Sequence, residues 1–284
     1  MIISIFIWGV YTLIKQKTSP VSLSNETPAA TEFPVSTMAS VELPVATELS
    51  DFAIGSTSVS EKDDMVLVYV PAGDFTMGGD DGSEDEKPQH RVYLDAFWID
   101  QTEVTNAMYA KCVQAEVCEL PTDTNYYNDL SYADHPVVFV TWGMANAYCA
   151  WAERKLPLEA EWEKAARGTD ARTYPWGEGI DCSKANYNDS CAGGTTPVKS
   201  YPNGSSPYTA YDMAGNVWEW VNSVYLPYPY TESDGREGLS SDGARVLRGG
   251  SWSNIDIVVR SAYRSRKDPL LSDRLLGFRC SRPQ

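Results

Sequence analysis

Six cysteines and two histidines are the side chains of this 284-residue chain best suited to bind a soft metal or to act in nucleophilic chemistry. Between Ser251 and Arg279 there is no cysteine, methionine or histidine. That stretch offers no soft ligand to a metal that prefers sulfur or imidazole. Cys112 and Cys118 flank one short segment and Cys182 and Cys191 another, so each pair can close a local loop. The cysteines alone do not fix the pairing, and reduced core thiols stand as the alternative to disulfides. His90 lies near a proline and His135 beside one; a Ser-His-Asp arrangement would need one of them next to Ser251. The acidic loop from Asp80 to Glu86 invites a metal reading, but such a run more often forms a solvated charged loop.

Charge narrows the partners. With 39 acidic against 23 basic side chains the formal net charge is -16, which a nucleic-acid backbone would repel over most of the surface. From Arg236 onward, however, basic residues such as Arg245, Arg248, Arg260, Arg264 and Arg279 outnumber the acids. They read as guanidiniums paired to core carboxylates, with an electropositive ligand surface as the sharper alternative.

These residues must be positioned by regular elements. Residues 66–70 read as a short apolar strand and residues 91–99 as another with alternating character. Thr105 or Asn106 can cap a helix running through Met108, Cys112 and Val113, because a side-chain oxygen there accepts an orphan amide. Thr141 similarly precedes a helix over 142–154, where Ala145, Tyr148, Cys149 and Ala152 recur at helical spacing. A third helix follows Leu156 and Pro157, starting at Leu158. Leucine cannot accept a hydrogen bond, so about 1 kcal/mol of helix stability is forgone unless a neighbour substitutes. After Gly168 the chain turns rich in Gly, Pro, Asn and aromatic residues, with few periodic runs.

At the other end, residues 1–14 are apolar and precede Lys15 and Lys17. This run is shorter than the ~20 residues that span a bilayer. It also lacks a basic leading region and a small-residue cleavage site. Residues 1–17 therefore read as a partial membrane anchor or as the cut end of a longer chain. Residues 18–64 are rich in Ser, Thr, Pro, Ala and Glu, too poor in bulky apolar content to offset ordering entropy, and read as a disordered stalk. Asn25 heads a glycosylation sequon in it. Residues 65–284 are the folded domain.

That domain resembles the sulfatase-modifying-factor domain, the domain of the formylglycine-generating enzyme. The resemblance rests on Pro71-Ala72-Gly73, on Asp95-Ala96-Phe97-Trp98-Ile99-Asp100 and on Glu103-Val104-Thr105-Asn106. It continues through His135-Pro136-Val137, Pro175-Trp176-Gly177, Gly215-Asn216-Val217-Trp218-Glu219-Trp220, Arg248-Gly249-Gly250-Ser251-Trp252 and Gly277-Phe278-Arg279-Cys280. It covers about residues 65–283. The fold it implies is α+β and C-type-lectin-like, a small twisted sheet and two or three helices supporting extensive irregular structure. It also implies a long-range disulfide between Cys149 and Cys280. A second family bridge would need cysteines near Ala166 and Ser261, and both are missing. With the two local pairs, this leaves every cysteine bridged, which points to an oxidising, extracytoplasmic compartment.

Two structural calcium sites belong to the resemblance. One takes the side chains at Asp212 and Glu219 and the carbonyls at Gly215 and Val217, hard oxygens of the kind Ca2+ accepts. The other begins at Asn186 and Tyr187, but the aspartate that should complete it, Asp189, is displaced by one residue.

The family's oxidase uses two cysteines that hold Cu(I) shortly after the Gly-Gly-Ser motif. Here the first falls at Asn254, the second has no counterpart, and an asparagine lining the family site falls at Leu275. Ser251 and Trp218 survive, and neither alone can bind copper. Relatives that use three histidines for iron are excluded by a chain with two. The resemblance therefore implies no catalytic residues, no copper, and a module that binds a protein, peptide or glycan. In binding relatives the comparable face comprises Trp218, Ser251, Trp252, Asn254, Asp256, Arg260 and Arg264, with Ser253, Ile255 and Tyr263 among them. The alternative is a formylglycine-generating or other peptide-modifying oxidase with displaced thiols.

Overall fold

The computed structural model describes residues 52–240 and 242–284, so residues 1–17 and most of the stalk lie outside the described residues. In chain order the strands are β1 Thr57–Val59, β2 Val66–Val70, β3 Gly73–Met77, β4 His90–Leu94 and β5 Phe97–Asp100. Helices α1 Asn106–Gln114, α2 Asn125–Asn128, α3 Trp142–Trp151 and α4 Glu159–Arg167 follow. Then come β6 Trp218–Val224, β7 Arg245–Arg248, β8 Ser265–Lys267, β9 Leu276–Phe278 and β10 Ser281–Pro283. The sheets run β1-β2-β5-β10, β3-β4 and β8-β7-β6-β9. This is the mixed α+β, C-type-lectin-like architecture.

Two expected helix starts form as the caps dictate. Thr105 accepts the Met108 amide and Thr141 the Met144 amide, both at 3.2 Å. At Leu158 a neighbour does substitute: Ser223 Oγ on β6 accepts the Glu159 amide at 2.8 Å, and the Glu161 carboxylate accepts the Leu158 amide at 2.9 Å. The single strand expected over 91–99 is instead two. Its halves join different sheets, β4 pairing with β3 and β5 with β2.

A second correction concerns the domain boundary. Residues 57–64 belong to the folded unit rather than to a stalk, since β1 pairs with β2 and Asp63 is buried. The physical reason is electrostatic. Asp63 accepts from Arg154, whose side chain is equally buried, and from Tyr148 at 2.6 Å. Burial pushes the Asp63 carboxyl up, but the Arg154 charge together with hydrogen bonds from Ser60, Tyr148 and Arg154 outweighs it and holds the pKa below the usual value.

Every residue of α4 is buried, five of them charged. Burying a charge is tolerable only when it is paired and hydrogen-bonded, and here the C-terminal arginines supply the partners. Glu159 takes Arg264 at 2.6 and 2.9 Å, Glu163 takes Arg248 at 2.6 Å and Arg167 at 2.9 Å, and Lys164 donates to the Pro71 and Gly73 carbonyls. For these arginines the core-pairing reading is the one the fold adopts.

Three disulfides close the described chain: Cys112–Cys118, Cys149–Cys280 and Cys182–Cys191. No cysteine is left free.

Candidate functional site

The chain leaves β7 through Gly249 and Gly250 into Ser251, Trp252 and a short 3-10 turn, Asp256–Val259. Ser251 is buried, and its amide and hydroxyl both donate to Asn254 Oδ1, at 2.9 and 2.7 Å. Asn254 thereby closes a local turn. Its carbonyl accepts the Asn188 amide at 2.7 Å, while the Trp252 amide donates to the Asn216 carbonyl at 2.9 Å. The segment is therefore stitched to the 186–188 loop and to the turn before β6. Trp218 faces Tyr263 with ring centroids 6.1 Å apart, and the Arg274 guanidinium lies 5.1 Å over Trp252. Leu275 accepts the Trp218 amide at 2.8 Å.

No base stands beside Ser251. His90 accepts the Tyr230 amide at Nε2 and so donates from Nδ1 to the Pro88 carbonyl; His135 meets Thr195 at 2.9 Å. Both imidazoles are held by loop contacts elsewhere, and burial lowers the His135 pKa.

The expected binding face is brought together only in part. Trp218, Ser251, Trp252 and Arg264 are buried, which takes them out of direct reach of a large ligand. Arg264 is committed to Glu159 and lies 3.9 Å over the Tyr228 ring. Asn254 and Arg260 are half-buried, and Ile255, Asp256 and Ile257 are exposed. Arg260 grips Glu86 through two bonds of 2.7 and 3.0 Å. The acidic loop, expected to be solvated, is thus anchored at Glu86 because a buried carboxylate needs a cation.

The two segments expected to hold calcium lie against each other. The amide of Asn216 donates to the Asn186 carbonyl at 2.8 Å, and a Cβ on Gly215 would lie 2.1 Å from that same oxygen, so only glycine fits between the loops. Asn186 Oδ1 is buried with no hydrogen-bond partner. Asp212 accepts the Lys199 amide at 2.6 Å. Glu219, however, is engaged on both oxygens, by Arg279 at 2.7 and 2.8 Å and by Trp162 at 2.8 Å. Among the described residues no three His, Cys, Asp or Glu side chains converge as a metal cluster.

Sequence reasoning missed Glu103. Its carboxylate accepts the Asn216 side chain at 2.8 Å and the Val217 amide at 3.2 Å. Burial, then Asp212 and Glu219, raise its pKa well above the carboxylate norm, and burial pushes Asp212 up to about 6. Three buried acids thus share the field of one guanidinium, Arg279. The only sequence signal was Glu103 as part of a family motif.

A match to the sulfatase-modifying factor enzyme 1-like domain runs over residues 53–284, and the chain belongs to that family. The formylglycine-generating enzyme of Streptomyces coelicolor is 34% identical over 279 residues, which is 75% of this chain and 88% of the relative. The serine/threonine-protein kinase pkn1 of Chlamydia caviae is 38% identical over 242 residues, covering 76% of this chain and 38% of the kinase-named protein. The chain thus spans well under half the length of that relative. The solved structure of PvdO from Pseudomonas aeruginosa matches with a TM-score of 0.71 at 28% identity, covering 82% of this chain and all of the other.

Proposed function

We propose that this domain is a binding member of its family that does not carry out copper-dependent cysteine oxidation. The observation that carries this reading is the pairing of Asn254 with Ser251. On the resemblance read from the sequence, Asn254 stands where the first family thiol would, and its amide oxygen is already used to close the turn. The six sulfurs are joined in three bridges. Cys149–Cys280, the bridge an oxidase with displaced thiols would have to open, has both cysteines fully buried. The domain presents its half-buried and exposed residues, Asn254, Asp256 and Arg260 among them, to a protein, peptide or glycan.

Thiol titration of the denatured, unreduced protein is expected to find none, and Cu(I) with oxygen to leave a Cys-x-Pro-x-Arg peptide unchanged. Two reactive thiols together with stoichiometric Cu(I) binding would overturn the reading.

Calcium is proposed as a structural ion on the 212–219 segment, with a second site beginning at the neighbouring 186–187 segment. Support comes from the orphaned Asn186 Oδ1 and from the excess of buried carboxylate over guanidinium. Asp212, the Gly215 and Val217 carbonyls and Glu219, shared with Arg279, would hold the first ion, and Asn186 and Tyr187 would begin the second site. Bound there, the ion would supply positive charge to the acids and tie the two loops together. Chelation is expected to lower Tm by several degrees, and Asp212→Asn to remove that sensitivity. Asp212 is the cleaner probe, because Glu219→Ala would also strand Arg279. No shift on chelation would reject the site.

Three disulfides fit an extracytoplasmic setting. Tethering through the apolar 1–14 segment belongs to the same proposal, and release of the protein from membranes by salt alone would reject it.

A further inference from the structure

Of the three bridges, Cys112–Cys118 and Cys149–Cys280 have both cysteines buried, whereas Cys182 is exposed and Cys191 half-buried. A thiol in solution therefore reaches one bridge before the others. Between the end of α4 at Arg167 and the start of β6 at Trp218 the chain forms no strand or α-helix and a single 3-10 turn, Pro202–Gly204, so no ladder or helix holds the ring of residues 182–191 in place. Its inner half is held by packing: Ala185 and Asn186 are buried, and the Asn186 carbonyl accepts the Asn216 amide at 2.8 Å. Its outer half, residues 188–190, is exposed.

That outer half reaches the candidate face. The Asn188 amide donates to the Asn254 carbonyl at 2.7 Å, and the Cys191 amide to the Asn188 carbonyl at 2.8 Å. Asn188 has φ 51°, in the left-handed region that asparagine tolerates better than most side chains but that an unconstrained chain leaves readily. The covalent ring keeps Asn188 in that turn and its amide against Asn254, whose Oδ1 in turn closes the Ser251 turn. An exposed disulfide is thus linked to Asn254 through a single left-handed residue.

We propose that Cys182–Cys191 is a redox-sensitive latch: a dithiol reductant opens it while the other two bridges stay closed, and the 187–191 segment then lets go of Asn254. A reductant thiolate attacks the exposed Cys182 sulfur, the S–S bond breaks, and Cys191 leaves as a thiolate that takes a proton. The reductant's second thiolate then closes its own disulfide and expels Cys182 as a thiolate, which is protonated in turn. Two electrons and two protons pass to the protein, and the dithiol is oxidised to a disulfide. The fold stands because the inner half of the ring stays packed and Cys149–Cys280 stays shut. The latch needs neither the binding nor the calcium reading; it sets whether the turn that carries Asn254 is held or loose.

The test treats the full chain under native conditions with limiting dithiothreitol, alkylates the thiols that appear and maps them by peptide mass. Cys182 and Cys191 should be labelled at least about tenfold faster than the other cysteines. In NMR spectra of the selectively reduced chain the amide resonances of Asn188 and Asn254 should shift, and the Asn188 amide should exchange with solvent at least about tenfold faster. Resonances of α4 such as the Trp162 amide should keep their positions, which separates local opening from unfolding. C182S/C191S should reproduce that spectrum without reductant; if it does not fold, the wild type reduced in place gives the same readout. Equal labelling of all cysteines, an Asn188 amide unmoved once the bridge is open, or collapse of the α4 resonances on opening would each overturn the proposal. The thiol count of the untreated, denatured protein judges the first reading separately.

Discussion

Arg248 and Arg264 on one side, and Arg260 and Arg274 on the other, come from one short stretch of chain and meet opposite environments. The first two are buried against Glu159 and Glu163, and every bond they make is inside the protein. Arg260 keeps 18% of its side chain exposed while holding Glu86, and Arg274 is exposed over Trp252. The difference teaches where a charge is structural. In a dry interior an ion must be fully paired, and removing a partner leaves an uncompensated charge. At the surface, water replaces the partner and little is lost. Interior pairs therefore act as architecture, and function is to be sought among residues whose charge the fold leaves over.

The sulfurs extend the contrast and give the largest expected effect. Cys149–Cys280 joins residues 131 apart in the interior, whereas Cys182–Cys191 joins residues 9 apart and Cys182 is exposed. Loop-closure entropy predicts a loss of about 5 kcal/mol for Cys149→Ala with Cys280→Ala, and about half that for the other pair. Urea denaturation of the two double variants measures the ratio, and equal losses would break the interior–surface distinction. Next, Glu159→Ala strands Arg264, while Arg248 keeps Glu163, and should cost about 3–5 kcal/mol. Glu86→Gln, facing a part-exposed arginine, should cost clearly less, and chemical denaturation compares them.

A third prediction concerns the two acids that share Arg154. The Asp100 carboxyl, fully buried and repelled by Asp63, is pushed up to about 7 despite Arg154. Its folded pKa lies above its unfolded value near 4. Its contribution is thus fully present below about pH 4 and is lost as pH rises through 7, because the folded state keeps a proton the unfolded state has released. Asp63, held below its usual value, acts in the opposite sense, losing its contribution as pH falls. Between pH 4 and 7 the stability of the wild type relative to Asp100→Asn should therefore decline. A difference that stays flat would rule this out. The smallest effect is expected for Ser223→Ala, which removes the surrogate cap of α4 and should cost about 1 kcal/mol.

Much of this was legible. The caps at Thr105 and Thr141 are read from one residue type ahead of a helical run, and both hold. The short spacings allowed the two local bridges without fixing them, and both form. Leu158 shows the limit, because its replacement acceptor is Ser223, 64 residues from the amide it serves. Glu103 was invisible as a neighbour of Asp212 and Glu219 for the same reason. The misplaced boundary at Met65 failed because composition weighs a segment by its average, while a single buried Asp63 with its arginine ties residues 57–64 into the domain.

By itself the sequence determined the inventory: no sulfur or histidine between Ser251 and Arg279, six cysteines to bridge, and a surplus of acids. The tertiary structure decided the assignments, namely which arginines face inward and which carboxylates are left without a cation. Inventory is local and additive, whereas pairing in a low-dielectric interior depends on which distant groups the fold brings within about 3 Å.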